Sequence, residues 1–290
     1  MERAAIVGPG RVGTALALAL GGLQEVLGAA GGGPESQRRF AQATGLVLSD
    51  AAALCRAADW VYLTVPDARI AEVCASLAAQ GGLRAQQVVC HTSGVLDTSV
   101  LAPAAALGAE VVSLHPVQSI ARPAEGRGAF AGAVCTIQGE DAVAARAEQL
   151  ARALGMTPLR ISAQRKPLLH AAAALASNAL VGLLAVAAEA AAGPMATADE
   201  RNAALRDLLP LAEGTLRNVA AVGIPQALTG AVERGDVGTV QIHLEALSGL
   251  PAEVYAAFLP VLLRLAAEKG SPGALRAEEM LQLLAEVSTR

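Results

Sequence analysis

Near its start the chain reads Gly8-Pro9-Gly10-Arg11-Val12-Gly13, a GxGxxG spacing. In such a loop the first glycine permits a tight turn, the second lets the backbone approach a pyrophosphate, and the third lets a helix pack closely on its strand. The unpaired N–H groups opening that helix then meet the phosphates with the positive end of the helix dipole. The chemistry on offer is the holding of a dinucleotide. Glycine is abundant here, 29 residues in all, so the pattern alone is weak. Its weight comes from the β-type run Ala4–Val7 directly before it and the helical run Val12–Leu20 that it opens. NAD binders place an acid at the end of the second strand to hold the ribose 2′-hydroxyl, but that end reads Gly28-Ala29-Ala30-Gly31-Gly32-Gly33. Glu35 lies past the glycines and a proline. Arg38 and Arg39 follow in the next turn, where they could meet a 2′-phosphate or form a solvated helix face. The balance leans to NADP, with NAD left open.

Three other segments close β-type runs in small, polar or proline residues: Thr64-Val65-Pro66-Asp67, His91-Thr92-Ser93-Gly94, and Ser113-Leu114-His115-Pro116-Val117-Gln118-Ser119. Ligands of an open α/β sheet sit beyond the carboxyl ends of its strands, so Val65, Pro66, Asp67, Thr92 and Ser93 are expected at a cofactor crevice. Asp67, Ser93 and Asp97 could equally cap the helices that follow. His115 is a titratable ring at a strand end, and the proline behind it favours an extended backbone. It is a candidate for proton transfer, or else a buried imidazole hydrogen-bonded to backbone.

These residues need a scaffold, and the first half of the chain supplies one. The β-type runs Ala4–Val7, Val26–Ala30, Leu46–Leu48, Trp60–Val65, Gln87–His91, Val111–Leu114, Val134–Ile137 and Leu159–Ile161 are interleaved with alanine-rich helical stretches such as Arg11–Leu20, Ala68–Ala79 and Asp141–Leu154. Such alternation predicts a Rossmann-like, mainly parallel sheet covered on both faces. After Ser162 the β-type runs nearly vanish, and Gly193-Pro194, Gly223-Ile224-Pro225, Gly249-Leu250-Pro251 and Ser271-Pro272-Gly273 punctuate long alanine/leucine stretches. The expected domains are a dinucleotide-binding domain over 1–162 and an all-helical domain over 163–290.

Composition narrows the rest. With 290 residues, a net charge of −4 and no basic stripe, nothing points to nucleic acid. Cys55, Cys74, Cys90 and Cys135 show no CxxC spacing and read as reduced core residues, as in the cytoplasm, with no metal expected. The chain enters a strand pattern at once, without a signal peptide. The apolar stretch Pro167–Met195 carries His170, Ser177, Asn178 and Glu189 and is dominated by alanine, which fits a buried helix better than a membrane span. Within it, Leu168–Ala192 is apolar on more than one face, so a homodimer built mainly by the helical domain is expected.

The chain resembles the Rossmann-like proteins that carry the DUF2520 domain, within the wider 6-phosphogluconate dehydrogenase-like group, to which pyrroline-5-carboxylate reductase and ketopantoate reductase also belong. The stretches that carry the resemblance are Gly8–Gly13, Val65-Pro66-Asp67, His91–Gly94, His115–Ser119, His170–Ala173 with Ser177-Asn178, and Leu228–Asp236 with His243-Leu244. Two departures stand out: Ala231 where proline is expected, and Gly31–Gly33 where relatives often carry Ser or Arg. The resemblance implies a nicotinamide-dependent reductase in build. In related enzymes the first helix of the second domain presents a catalytic Lys and an Asn towards the nicotinamide. Here Lys166 sits before Pro167 at the very start of that helix, and His170 and Asn178 are separated by only about 80° around its axis.

The function expected is hydride transfer between NAD(P)H and a small C=O or C=N substrate held between the domains, the cofactor supplying the chemistry and the protein orienting it and handling the proton. His170 is the first choice for general acid/base, His115 the second, and Asn178 would orient substrate or polarise its oxygen. Thr229, Arg234 and Asp236 would form a wall of the substrate site, with Arg234 suited to a carboxylate. Asp236 could instead cap the helix containing Val240–Leu247. The alternative is a dinucleotide-binding sensor or regulatory protein without turnover, favoured by the lack of a Lys in a clearly catalytic place.

Overall fold

A computed structural model describes residues 1–287, the side chains of 124, 125, 127, 286 and 287 apart. It divides into two compact units, Met1–Ser177 and Asn178–Arg290.

The first unit is built on a sheet of seven strands: β1 (Arg3–Val7), β2 (Glu25–Ala30), β3 (Trp60–Leu63), β4 (Val88–His91), β5 (Glu110–Val117), β6 (Val134–Gly139) and β7 (Thr157–Arg160). Strands β3 and β4 are buried at every residue, as expected of parallel strands covered on both faces. The cover comes from α1 (Arg11–Leu20), α2 (Pro34–Thr44), α3 (Ala51–Ala57), α4 (Asp67–Ala79), the short α5 (Ala102–Ala105) and α6 (Asp141–Ala153). Two apolar clusters result. One gathers Leu16, Phe40, Trp60, Tyr62 and Phe130; the other gathers Leu63, Ile70, Leu77 and Leu101. The last helix of the unit, α7 (Lys166–Ala174), leads into a π-helical turn at Leu175–Ala179.

The strand order is β2-β1-β3-β4-β5-β6-β7. From β1 the chain first runs outward to β2 and then returns to the other side at β3. The carboxyl ends of β1 and β3 therefore flank a topological switch point, where open α/β sheets bind their ligands. Every pairing is parallel except β5 with β6. The run Leu46–Leu48 makes only an isolated bridge, Ala29 to Leu48. It is too short to extend the sheet, because Asp50 already caps α3 by accepting from the Ala53 N–H at 2.9 Å.

The second unit is helical: α8 (Leu180–Ala192), α9 (Ala198–Val222), α10 (Ile224–Ala227), α11 (Ala231–Arg234), α12 (Val237–Ala246), α13 (Gly249–Lys269) and α14 (Ala277–Val287). Its core joins Val232, Val240, Leu244, Leu259, Leu263 and Met280. Helices α8 and α9 contribute little to it. The 25 residues of α9 include none that is buried, although a Thr197–Glu200 capping box defines the helix start. Two helical runs, Ala163–Ala192 and Gly249–Lys269, are long and apolar enough by length and composition to cross a bilayer.

Candidate active site

At the switch point lies a cleft of about 670 Å³. Its floor is the glycine loop between β1 and α1, and the three glycines of that loop differ in a way the structure explains. Gly8 has φ +105°, a value that side-chain-bearing residues rarely adopt. A Cβ on Gly13 would overlap the Gly8 carbonyl and the Thr64 hydroxyl, so only glycine lets α1 sit this close to β1 and β3. A Cβ on Gly10 would meet nothing within 4 Å. Gly10 thus leaves room on the cleft side, while Gly8 and Gly13 serve the fold. Thr64, absent from the sequence expectations as a site residue, ties the loop down by donating its hydroxyl to the Gly8 carbonyl at 2.7 Å. The N-terminus of α1 has no side-chain cap, so its backbone N–H groups remain available to an anion.

Pro9, Val65 and Pro66 line this cleft with Gly8 and Gly10, as do Gly31, Gly32, Gly33 and Ser36. Gly31 and Gly33 also have nothing within 4 Å of a Cβ position. The cradle a dinucleotide needs is therefore present: open backbone at the phosphate loop and beyond β2, and no acid at the β2 end. Arg11 and Arg38 are exposed and Val12 half-buried; none of the three lines the cleft, whereas Arg69 does. Arg39 is held by Glu35 at 2.9 Å.

Asp67 and Ser93 meet each other. The Ser93 hydroxyl donates to the Asp67 carboxylate at 2.8 Å and accepts from the N–H groups of Val95 and Leu96. Ser93 is buried and Thr92 half-buried. His91 is structural: its Nδ1 accepts from the Ser93 N–H, and Nε2 faces the Asp97 carbonyl at 3.2 Å. Burial holds its pKa down to about 4. Asp97 caps the next turn by accepting from Ser99 N–H at 2.9 Å.

His115 and His170 come together. Their ring centroids are 5.5 Å apart with an interplanar angle of 67°, and both rings press on Gly94, where a Cβ would overlap His170 Nδ1. The β5–β6 register sets Thr136 opposite His115, leaving its hydroxyl 3.5 Å from His115 Nδ1. Burial, then the charge of Lys166, then His170 push the His115 pKa down to about 4. His170 Nδ1 is buried without a hydrogen-bond partner among the described residues. Below the rings, Lys166 is 1% exposed. Its Nζ donates to the Ser113 hydroxyl at 2.6 Å and to the Ser93 carbonyl at 3.1 Å, and burial lowers its pKa.

Lys166 was given no clear place by sequence, yet two spacings point to it. Lys166 and His170 are one helical turn apart on α7, and Ser113 and His115 share a face of β5 because strand side chains alternate.

The remaining expected residues lie in the second unit. Asn178 is exposed on the π-helical turn, Thr229 is exposed in the loop before α11, and Arg234 is exposed at the end of α11. Asp236 is the N-cap of α12, accepting from the Thr239 N–H at 3.0 Å and from its hydroxyl at 2.7 Å. Gly235, with φ +73°, ends α11 in the left-handed conformation. The Arg234-Gly235-Asp236 sequence thus has a local reason: one helix stops and the next starts within two residues.

Residues 2–116 match a Rossmann-like domain, and residues 133–259 match DUF2520, a domain of unknown function. The search of curated proteins gives no match. Among solved structures, a Bacteroides fragilis protein provisionally named an NADP oxidoreductase is 22% identical, covering 92% of this chain and 98% of its own, with a TM-score of 0.74. A semialdehyde dehydrogenase NAD-binding protein from Cupriavidus necator, solved with calcium and NAD, is 20% identical over 88% of this chain and 98% of its own, with a TM-score of 0.58. A pyrroline-5-carboxylate reductase from Coxiella burnetii is 16% identical over 96% of this chain and 98% of its own, with a TM-score of 0.56. At such identities the likeness is one of fold.

Proposed function

From a chain that joins a Rossmann-like domain to a DUF2520 domain, we propose an NADP-dependent oxidoreductase acting on a small C=O or C=N substrate. The observation that carries this reading is the open cradle at Gly10, Gly31 and Gly33 beside the switch point. Bound there, the nicotinamide dinucleotide would supply hydride chemistry. The α1 N-terminus would hold its pyrophosphate, with Gly10 leaving the room for it to approach. With no acid at the β2 end to repel it, a 2′-phosphate would sit beside Ser36, which lines the cleft on the same helix as the exposed Arg38.

His170 handles the proton. A neutral imidazole has one donor and one acceptor nitrogen, and a buried unpaired N–H is rarer than a buried unpaired acceptor. We therefore infer that Nδ1 is the bare nitrogen of the neutral ring, ready to accept a proton, and that the ring gives a proton up only from its imidazolium form, which carries one on each nitrogen. His115, neutral at pH 7 because its pKa is held down, orients the substrate. In the second unit, Asn178, Thr229 and Arg234 are exposed, and the Arg234 guanidinium is suited to a carboxylate.

A second copy of this chain is the partner that suits the helical unit. Val181, Leu211 and Leu216 are more than half exposed, and an apolar helix without cover on its own chain needs it from another.

The test is a thermal-shift series with NADPH and NADH, followed by NADPH oxidation against a panel of small carbonyl and imine compounds. A hundredfold excess of NADPH over its Kd adds about 2.7 kcal/mol of stability. On a compound that turns over, His170→Ala lowers the rate about 10²–10⁴-fold with NADPH affinity unchanged. A thermally weakened variant with full rate would refute the assignment of His170.

A further inference from the structure

Lys166 opens α7, and what its ammonium touches is unusual for a lysine. Long cationic side chains ordinarily carry their charge to water; this one is sealed, and no carboxylate pairs with it among the described residues. A buried charge without a counter-ion is costly, and an apolar side chain of similar length commonly serves stability better at such a position. What the charge gains is reach. Its two acceptors belong to different segments: the Ser93 carbonyl immediately before Gly94, and the Ser113 hydroxyl on the face of β5 that also carries His115. His170 stands one turn further along the same helix.

We propose that Lys166 is the positioning residue of this site: its ammonium ties the Ser93 carbonyl to the Ser113 hydroxyl and so holds Gly94, His115 and His170 at the spacing they show. This role rests on the proton-handling assigned above to His170 and on the orienting role assigned to His115. Lys166 does not contact the reacting atoms in this scheme; it acts through the three groups it anchors.

Its charge has a second effect on the same residues. The titratable groups that act on His115 are Lys166 and His170 from α7; those that act on Lys166 in turn are Cys90 from β4, Cys135 from β6, and Asp67 and Asp97 from the segments after β3 and β4. Asp67 is engaged by Ser93 and Asp97 by Ser99, and both thiols stay protonated because burial raises their pKa values. The Lys166 ammonium is therefore a cation placed to disfavour protonation of His115, in addition to burial.

The experiment is an NMR titration of the histidine rings in the full chain, with His115→Gln to assign the signal, comparing wild type with Lys166→Met. Methionine keeps the length and removes the charge. The His115 midpoint is expected to rise by about one unit, with both ring signals displaced. A folded Lys166→Met in which His115 titrates as in wild type, with both rings unmoved, overturns the proposal. If that variant does not fold, Ser113→Ala removes one anchor and keeps the charge. Displaced His115 and His170 signals then support the tie, and unmoved ones overturn it. Calorimetry with NADPH on wild type separates the two levels, because absent NADPH binding defeats the proposed function while leaving the titration result standing.

Discussion

Replacing Gly94 with alanine adds a single methyl group at the most crowded point of the site. The backbone there needs no left-handed conformation, so the penalty is steric alone. The new Cβ would overlap His170 Nδ1 and stand 2.8 Å from both Cε1 and Nε2 of His115. Carbon contacts are favourable near ~3.5–4.0 Å, so the rings must separate from the loop by about 1 Å. Forcing one carbon into a packed place costs about 1–3 kcal/mol, less the few tenths to about 1 kcal/mol that alanine gains over glycine in the unfolded chain. The net cost is then up to about 2.6 kcal/mol, and at roughly 2–4 °C per kcal/mol for a unit of this size the melting temperature should fall by up to about 10 °C. A displacement of that size at a proton-transferring group can cost about 10²-fold in rate. Gly94 does not line the nucleotide cleft, so NADPH affinity should be unchanged. The assay combines a thermal melt, NADPH calorimetry and the ring signals of His115 and His170. A Gly94→Ala protein with a wild-type melt and both rings unmoved would show that the two imidazoles do not rest on this glycine.

Gly10→Val should abolish NADPH binding in calorimetry with little change in the melt, whereas Gly13→Val should unfold or strongly destabilise the protein; equal effects of the two would contradict the division of roles in the loop. His91 and His115 each have folded pKa values near 4 against an ordinary 6.5. Their unfolded forms therefore take up protons that the folded forms refuse, and the stability present above about pH 6.5 is lost as pH falls towards about 4, at about 1.4 kcal/mol per unit of depression. A urea midpoint unchanged between pH 7 and pH 4.5 would speak against both shifts. Sedimentation at micromolar concentration should give a dimer, and Leu211→Asp with Leu216→Asp should give a monomer; a monomeric wild type would remove the second copy from the account.

The sheet was readable in the sequence because its central strands are short, largely apolar runs, as at Trp60–Leu63 and Val88–His91, and because the glycine spacing sits between a strand and a helix. The antiparallel turn of β6 was not readable, since a buried run looks the same in either direction. Leu46–Leu48 failed as a strand because a helix cap follows too soon. At the site, His115 and His170 could be named from their chemistry, but their meeting on Gly94 depends on long-range packing that no local pattern encodes. The partners of Lys166 were not readable for the same reason, since only the tertiary fold brings the Ser93 carbonyl and the Ser113 hydroxyl to its ammonium. Asp236 fell to its capping alternative, as Asp before a helix commonly does.

The antiparallel pairing of β5 with β6 also governs which insertions and deletions this protein can survive. Side chains alternate along a strand, so a register slip of one residue turns each side chain of β6 to the opposite face. Thr136 would leave His115, and Cys135 or Ile137 would take its place. A cysteine so placed would set a thiol against an imidazole, a pairing with a reactivity of its own. Length changes are therefore more tolerable in the mostly exposed stretch 118–122, ahead of the buried Ala129 and Phe130, than within Val134–Gly139. The neighbour that His115 meets is fixed by a count of residues, and a single step in that count exchanges a hydroxyl for a sulfur or a hydrocarbon.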